Sequence, residues 1–255
     1  MLRITSHIIN WIKQYFKDNP QGKAVIGISG GKDSTVCAAL LVKALGADRV
    51  IGVLMPNGTQ KDVADSYKVC EILGITPHLI NIKSAFDGII TELFGDGIIG
   101  EDIPDMILTN LPSRLRMSVL YSVAAANPNS RVCCTSNRSE IYLGYCTKGG
   151  DTVGDFAPLA SLLVRNVYKV GDDLGLPYEL VHKTPDDGMS GKSDEEKMGV
   201  PYEVTDRYLA GELTPDNKSS EYVYKIEKMH ESGMHKFLTI PSPSYLKESI
   251  GNEPL

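Results

Sequence analysis

Hydrophobic positions follow two rhythms along the chain. At the amino terminus Ile4, Ile8, Ile12 and Phe16 stand at four-residue steps, with Leu2, Trp11 and Tyr15 beside them and Arg3, Asn10, Lys13 and Gln14 between. That spacing predicts an amphipathic helix. Beyond it, short apolar runs alternate with longer periodic segments, the pattern of strands linked by helices. Ala24 to Ser29 reads as a buried strand, Ser34 to Leu45 as a helix stopped by Gly46, and Val50 to Met55 as a second strand closed by the turn Pro56-Asn57-Gly58. Lys61 to Leu73 repeats the helix with Gly74 as its stop, and His78 to Ile82 is a third strand followed by a helix through Phe94. Residues 95–110, rich in Gly, Asp and Pro, read as a loop. Leu111 to Ala126 predicts a long helix with apolar residues round most of its circumference, as in helices buried in a core or an interface. Arg131 to Thr135 reads as a fourth strand, and the chain after it as irregular, with loops at Gly149-Gly150 and from Asp186 to Lys197. Amphipathic helical patterns return at Tyr202 to Leu209 and Glu221 to Met229. The expectation is an α/β fold: a single doubly wound parallel sheet with helices on both faces.

Composition narrows the class. With 42% hydrophobic and 23% charged residues in 255, the chain can bury a core without disulfide staples, which excludes disordered and fibrous classes. Twenty-six Lys and Arg against 32 Asp and Glu leave a net charge of −6, a poor match for a surface that holds nucleic acid by neutralising phosphates. The first helix lacks the continuous apolar stretch and cleavage site of a secretory signal, and no run approaches the ~18 apolar residues of a membrane span. Cys37, Cys70, Cys133, Cys134 and Cys146 are odd in number and hold no C-x-x-C pair, which fits reduced thiols better than disulfides or a zinc cage. Cys133 and Cys134 read as buried strand residues. The expectation is a cytoplasmic protein with small-molecule or protein partners, and neither nucleic acid nor membrane.

The most informative residues are Ser29-Gly30-Gly31-Lys32-Asp33-Ser34, between the first strand and the second helix. Adjacent glycines let the backbone turn tightly and present bare N–H groups, and the helix start directs roughly half a positive charge to the same place. Phosphate is what such a turn binds. It is not a Walker A loop, which needs glycine where Ile26 stands and Ser or Thr where Asp33 stands, nor a G-x-G-x-x-G fingerprint, since Ser29 follows Gly27 by two residues. A carboxylate among phosphate-binding groups repels the ligand unless a cation bridges them, so Asp33 points to Mg²⁺. The alternative is an ordinary helix start capped by Asp33 or Ser34.

This hexapeptide after a first strand resembles the pyrophosphate loop of the ATP pyrophosphatases, which cleave ATP between the α and β phosphates and leave an adenylate on the substrate. Later pieces are Arg114-Leu115-Arg116-Met117, then Thr135, Glu140 and Gly144, then Lys148, Asp155 and Pro158, then Lys192-Ser193-Asp194-Glu195-Glu196-Lys197-Met198-Gly199, and finally His235-Lys236. In this order they are similar to the ammonia-dependent NAD synthetases, one branch of that superfamily. The resemblance implies ATP-dependent amidation of nicotinic acid adenine dinucleotide (deamido-NAD) to NAD, through an acyl-adenylate, with release of AMP and pyrophosphate. It implies that Asp33 and Glu140 hold Mg²⁺, that Gly27, Ser29, Gly30, Gly31, Lys32, Asp33, Ser34 and Thr135 bind ATP, and that Arg114, Lys148, Asp155, His235 and Lys236 bind deamido-NAD. It also implies a homodimer with the dinucleotide site near the interface. Because the resemblance runs from the first helix to Lys236, residues 1–255 are expected to form one domain without a glutaminase domain, ammonia arriving from solution or from another protein.

Each dinucleotide residue has a plainer assignment. Arg114 could pair with a core or interface carboxylate, Lys148 and Asp155 could be turn residues, and His235-Lys236 an exposed tail pair. Asp194-Glu195-Glu196-Lys197 reads as a solvated helix start. Two positions depart from the branch's pattern. Val164 stands where a lysine contacts ATP phosphates, with Arg165 and Lys169 nearby, and Asp186 follows Pro185 where a hydroxyl residue is usual, with Thr184 and Ser190 as substitutes. The rivals are another adenylating enzyme of the superfamily, such as a tRNA-modifying one, and an ATP-binding module without turnover. Paired catalytic cysteines or an appended basic domain would mark the first, and neither is present. The second has no use for a second acidic ligand such as Glu140.

Overall fold

The computed structural model describes residues 1–60, 63–182, 193–213, 219–238 and 240–241. Lys61, Thr184, Asp186, Ser190, Lys192 and most of the expected loop from Asp186 lie outside them. Helix α1 (Arg3–Tyr15) buries Ile8, Ile9 and Ile12, the stripe that the four-residue spacing predicts. Then come β1 (Ala24–Gly27), α2 (Lys32–Leu45), β2 (Val50–Leu54), α3 (Val63–Leu73), β3 (Pro77–Leu79), α4 (Lys83–Gly95), α5 (Asp105–Ala126) and β4 (Arg131–Val132). The remainder holds α6 (Arg138–Leu143), α7 (Val164–Asp173), α8 (Tyr178–Val181), α9 (Asp194–Met198), α10 (Tyr202–Leu209) and α11 (Ser219–Gly233), the last followed by a 3₁₀ turn over Met234–Lys236.

All four strands are parallel, in the order β3-β2-β1-β4, with Ala24 opposite both Val50 and Arg131. Alternation along β1 divides the core: Ala24 and Ile26 join a cluster with α1, α2 and α7, whereas Val25 joins Met117 and Leu120 of α5 on the other face. A third cluster, of Leu143, Val164, Met198, Val200, Tyr202 and Ile226, packs the late helices against α6 and α7. Because β2 and β3 lie to one side of β1 and β4 to the other, the strand order reverses between β1 and β4. In doubly wound sheets the crevice beyond the carboxyl ends of strands at such a point is where ligands bind.

Four expectations change. Helix α5 begins at Asp105, within the stretch read as a loop, and carries Pro112 inside it. Proline is favoured at a helix start and penalised in the interior, which is why the sequence suggests a later beginning. The same helix buries Pro112, Met117 and Leu120, with Val119, Tyr121, Val123 and Ala124 partly buried against the same cluster, so it covers the sheet with one side instead of passing through the core. Strand β4 is two residues long, extended by one parallel bridge between Cys133 and Phe156. The region read as irregular contains α6 and α7; in α7 the buried face is Val164, Val167 and Val170, β-branched residues whose weak helix propensity hides the element. The five cysteines are free, and no helix among the described residues is long and apolar enough to cross a membrane.

Candidate active site

The glycine-rich turn joins β1 to α2 at the strand-order reversal. Gly30 has φ +78°, a conformation costly for any residue with a Cβ, and Gly31 is the N-cap of α2. The turn's hydroxyls face each other: Ser29 Oγ and Ser34 Oγ are 3.0 Å apart, and the Gly31 amide donates to Ser29 Oγ at 3.2 Å. Thr35 Oγ1 and Ser34 Oγ donate to the Gly31 carbonyl, fixing the first helical turn. Gly27 has a different local reason, since an added Cβ would lie 2.9 Å from Met55 Cε and require that methyl to shift.

Asp33 and Glu140 sit on the first turns of α2 and α6, just past the ends of β1 and β4. They are joined by Asn137, a residue the sequence analysis did not single out. Its side-chain carbonyl caps α6 by accepting from the Ser139 and Glu140 amides, its own amide N–H donates to Glu140 Oε2 at 3.1 Å, and its Nδ2 donates to Asp33 Oδ1 at 3.0 Å. The N-x-x-E spacing of a capping box was legible in the sequence; the reach to Asp33 was not. Burial, then the Asp33 charge, raises the Glu140 carboxyl above its ordinary range, and Lys32 works the other way. Two carboxylates pressed together in this way fit Mg²⁺, which takes one or two protein carboxylates and completes its shell with phosphate oxygens and water. No cluster of three or more acidic, His or Cys side chains suited to a metal occurs among the described residues, so phosphate oxygens would have to supply the rest. Thr135 lies on the connection between the Cys133 bridge and α6.

Lys32 is 4% exposed, with its ammonium 2.8 Å from Asp33 Oδ2 and 5.4 Å from the centroid of the Tyr202 ring. Burial opposes that charge, but Asp33 and Glu140 overcome it and hold the lysine protonated above its usual range. Val164, 2% exposed, is part of the third apolar cluster, while Arg165 forms a two-pronged pair with Glu212 at 2.7 and 2.6 Å and Lys169 is exposed.

Four of the five residues assigned to the dinucleotide meet around the loop after α6. Arg114 Nε donates to the Lys148 carbonyl, Lys148 Nζ to the His235 carbonyl, and Lys236 Nζ to the carbonyls of Gly144 and Cys146, at 2.6–3.1 Å. The approach of α11 to this loop depends on two glycines: a Cβ on Gly144 would lie 2.5 Å from the Gly233 Cα, and Gly144 has φ +64°. Gly233→Ala is therefore expected to push the tail off the loop, with a loss of ~1–3 kcal/mol in urea unfolding and faster proteolysis after residue 233. Asp155 stands apart from the four, held by the Val132 amide at 2.7 Å and the Tyr121 hydroxyl at 3.3 Å. It lines an open cavity of about 170 Å³ with Ser136, Ile141, Phe156 and Phe237, the last directly after Lys236.

A parallel sheet whose strand order reverses at a glycine-rich phosphate turn, with one carboxylate on each bordering helix, defines an adenine-nucleotide-binding α/β protein of the ATP pyrophosphatase kind. The family model for NAD synthase matches residues 4–245. An NH₃-dependent NAD⁺ synthetase of Pyrococcus furiosus is 37% identical over 244 residues, 90% of this chain and 91% of its own. Among solved structures, an NMN synthetase from Francisella tularensis superimposes with a TM-score of 0.84 at 30% identity, over 95% of this chain and 98% of that one. The NH₃-dependent NAD synthetase of Campylobacter jejuni gives 0.74 at 27% identity, over 95% and 98%. The chain belongs to the NAD synthase family.

Proposed function

We propose that the protein amidates the nicotinate carboxylate of deamido-NAD, using ATP and ammonia, to give NAD, AMP and pyrophosphate. The observation that carries this reading is the pairing of Asp33 and Glu140 across the strand-order reversal, directly beside the glycine-rich turn, in a chain of this family.

A carboxylate is a poor acyl donor. Its oxygen attacks the α phosphorus of ATP, the bond from that phosphorus to the bridging oxygen of the β phosphate breaks, and pyrophosphate leaves. Ammonia then adds to the carbonyl carbon of the acyl-adenylate, AMP departs with the C–O bond electrons, and loss of a proton yields the amide. The protein's part is to position two polyanions and neutralise them. The Gly30 and Gly31 amides and the Ser29 and Ser34 hydroxyls cradle the departing pyrophosphate by exchanging their mutual hydrogen bonds for phosphate oxygens, with Gly27 shaping the strand end and Lys32 and Thr135 also serving ATP. Asp33 and Glu140 would hold Mg²⁺, which when bound offsets phosphate charge. Arg114, Lys148 and Lys236 bring cationic side chains, and His235 an imidazole, to the loop after α6. Asp155 borders an open cavity of about 170 Å³, near the roughly 150 Å³ of a cavity that admits a benzene ring.

The exposed apolar side chains Leu79, Phe94, Ile98 and Met106, on β3, α4, the turn after it and the start of α5, support a homodimer formed through that side. A monomer by light scattering that remained fully active would remove this part. We also infer one catalytic domain over residues 1–255, working in the cytoplasm on free ammonia.

The test is to mix the protein, ATP, Mg²⁺ and ammonium with deamido-NAD and follow NAD and pyrophosphate; absence of both across a range of pH would refute the proposal. Since ammonia and not ammonium attacks, the rate at fixed total ammonium should climb from neutral to about pH 9, and a flat profile would contradict the second step. The TM-score of 0.84 to an NMN synthetase favours one further arm, with nicotinic acid mononucleotide in place of the dinucleotide. Preferential turnover of the mononucleotide would shift the assignment to that substrate.

A further inference from the structure

Lys32 belongs to the phosphate turn by sequence, yet its ammonium is directed inward, onto the proposed metal ligand. Nζ contacts Asp33 Oδ2 at 2.8 Å, the Asn137 amide takes Asp33 Oδ1, and the face of Tyr202 closes the far side of the ammonium. Both oxygens of Asp33 are thus engaged by N–H donors. At the position where the branch's pattern places an ATP-contacting lysine, Val164 is apolar and buried, and its neighbour Arg165 is tied to Glu212. A divalent ion taking up Asp33 and Glu140 would meet the charge of Lys32 at short range in a largely buried place, where like charges are poorly screened.

We propose that Lys32 is the resident counter-ion of this site: with no nucleotide bound its ammonium stands in for the divalent cation beside Asp33, and metal enters together with the phosphates that accept the displaced ammonium. The inference rests on the reading of Asp33 and Glu140 as metal ligands. Lysine suits the task, being a compact cation on a flexible four-carbon stem, able to move from one oxygen to another without losing its charge. Its backbone lies in the turn whose amides face the phosphates, so the journey is a side-chain rotation. Lys32 acts here as a positioning residue: it excludes metal from the empty site and couples metal uptake to ATP.

Mn²⁺ titration of the nucleotide-free protein, read by electron paramagnetic resonance, tests this without turnover. Lys32→Met and Lys32→Gln are expected to bind Mn²⁺ at least about tenfold more tightly than the unmodified chain, a change of about 1.4 kcal/mol. Lys32→Arg, which keeps the charge, should stay weak. With α,β-methylene-ATP present, the unmodified chain should gain far more Mn²⁺ affinity than either neutral variant. Near-UV circular dichroism identifies which neutral variant keeps the native fold, and one is enough. Equal Mn²⁺ affinity in the unmodified chain and a folded neutral variant overturns the proposal. Adding Asp33→Asn to Lys32→Met should abolish the gain; if the gain persisted, Asp33 would not be the metal ligand and the underlying site assignment would fall instead.

Discussion

Asp33→Asn and Glu140→Gln should each lower the rate of NAD formation by on the order of 10³-fold or more while leaving the fold intact. Each replacement keeps the shape of the side chain and removes a carboxylate ligand; at Glu140, burial and then the Asp33 charge already raise the carboxyl to about 8, so it is the metal that would hold it ionised. The neutral amide introduced by Asp33→Asn could not neutralise Lys32 or bind a divalent ion as an anion. In Glu140→Gln, the mutual repulsion disappears, so the variant is expected to unfold at an equal or higher urea concentration. Loss of activity with unchanged or raised stability in Glu140→Gln is the signature of a catalytic ligand, whereas Asp33→Asn, which strands the buried Lys32 ammonium, should lower the urea midpoint as well. Near-normal activity in Glu140→Gln would show that the second carboxylate is only half of a helix cap. Parallel measurement of pyrophosphate release and NAD formation locates the defect, since both should fall together if the adenylation step is the one affected.

Asn137→Ala should damage fold and function at once. The side chain is fully buried, caps α6 through two backbone amides and holds Asp33 through a third hydrogen bond. Loss of the cap costs ~0.5–2 kcal/mol, and loosening a ligand's supporting partner typically costs 10- to 100-fold in metal affinity or activity, roughly the range expected here. Asn137→Asp separates the two roles. It keeps the carbonyl-like cap but replaces the donor facing Asp33 with a third carboxylate, so its α6 should remain intact by hydrogen exchange while activity falls at least as far as in the alanine variant. Equal activity in Asn137→Asp and the unmodified chain would show that Asn137 serves α6 alone.

Most of the sheet was legible in the chain because strands and turns there obey local rules. The continuous buried run along Ala24 to Gly27, the glycine stops at Gly46 and Gly74, and the Ser29-to-Ser34 turn are each set by a residue and its near neighbours. Elements whose character depends on distant partners were harder to read. The valines of α7, weak helix formers, read as irregular chain until α2 and α10 pack against them, and Pro112 hides the first turns of α5 because a helix interior tolerates proline only when the rest of the helix is already held in place.

The same division runs through the site. Sequence alone determined the parallel α/β class and the glycine-rich turn, since glycine conformations and helix starts are short-range properties; it singled out Asp33 by its place in that turn and Glu140 only through the family resemblance. Tertiary structure decided that Asn137 crosses 104 positions to reach Asp33 and that Lys148 crosses 87 to reach the His235 carbonyl. It also turned Lys32 inward, onto Asp33 of the same turn and the face of Tyr202. Those contacts form only when helices from opposite ends of the chain pack on one sheet, and the direction of a long, flexible side chain is set by the charges and rings that packing brings beside it.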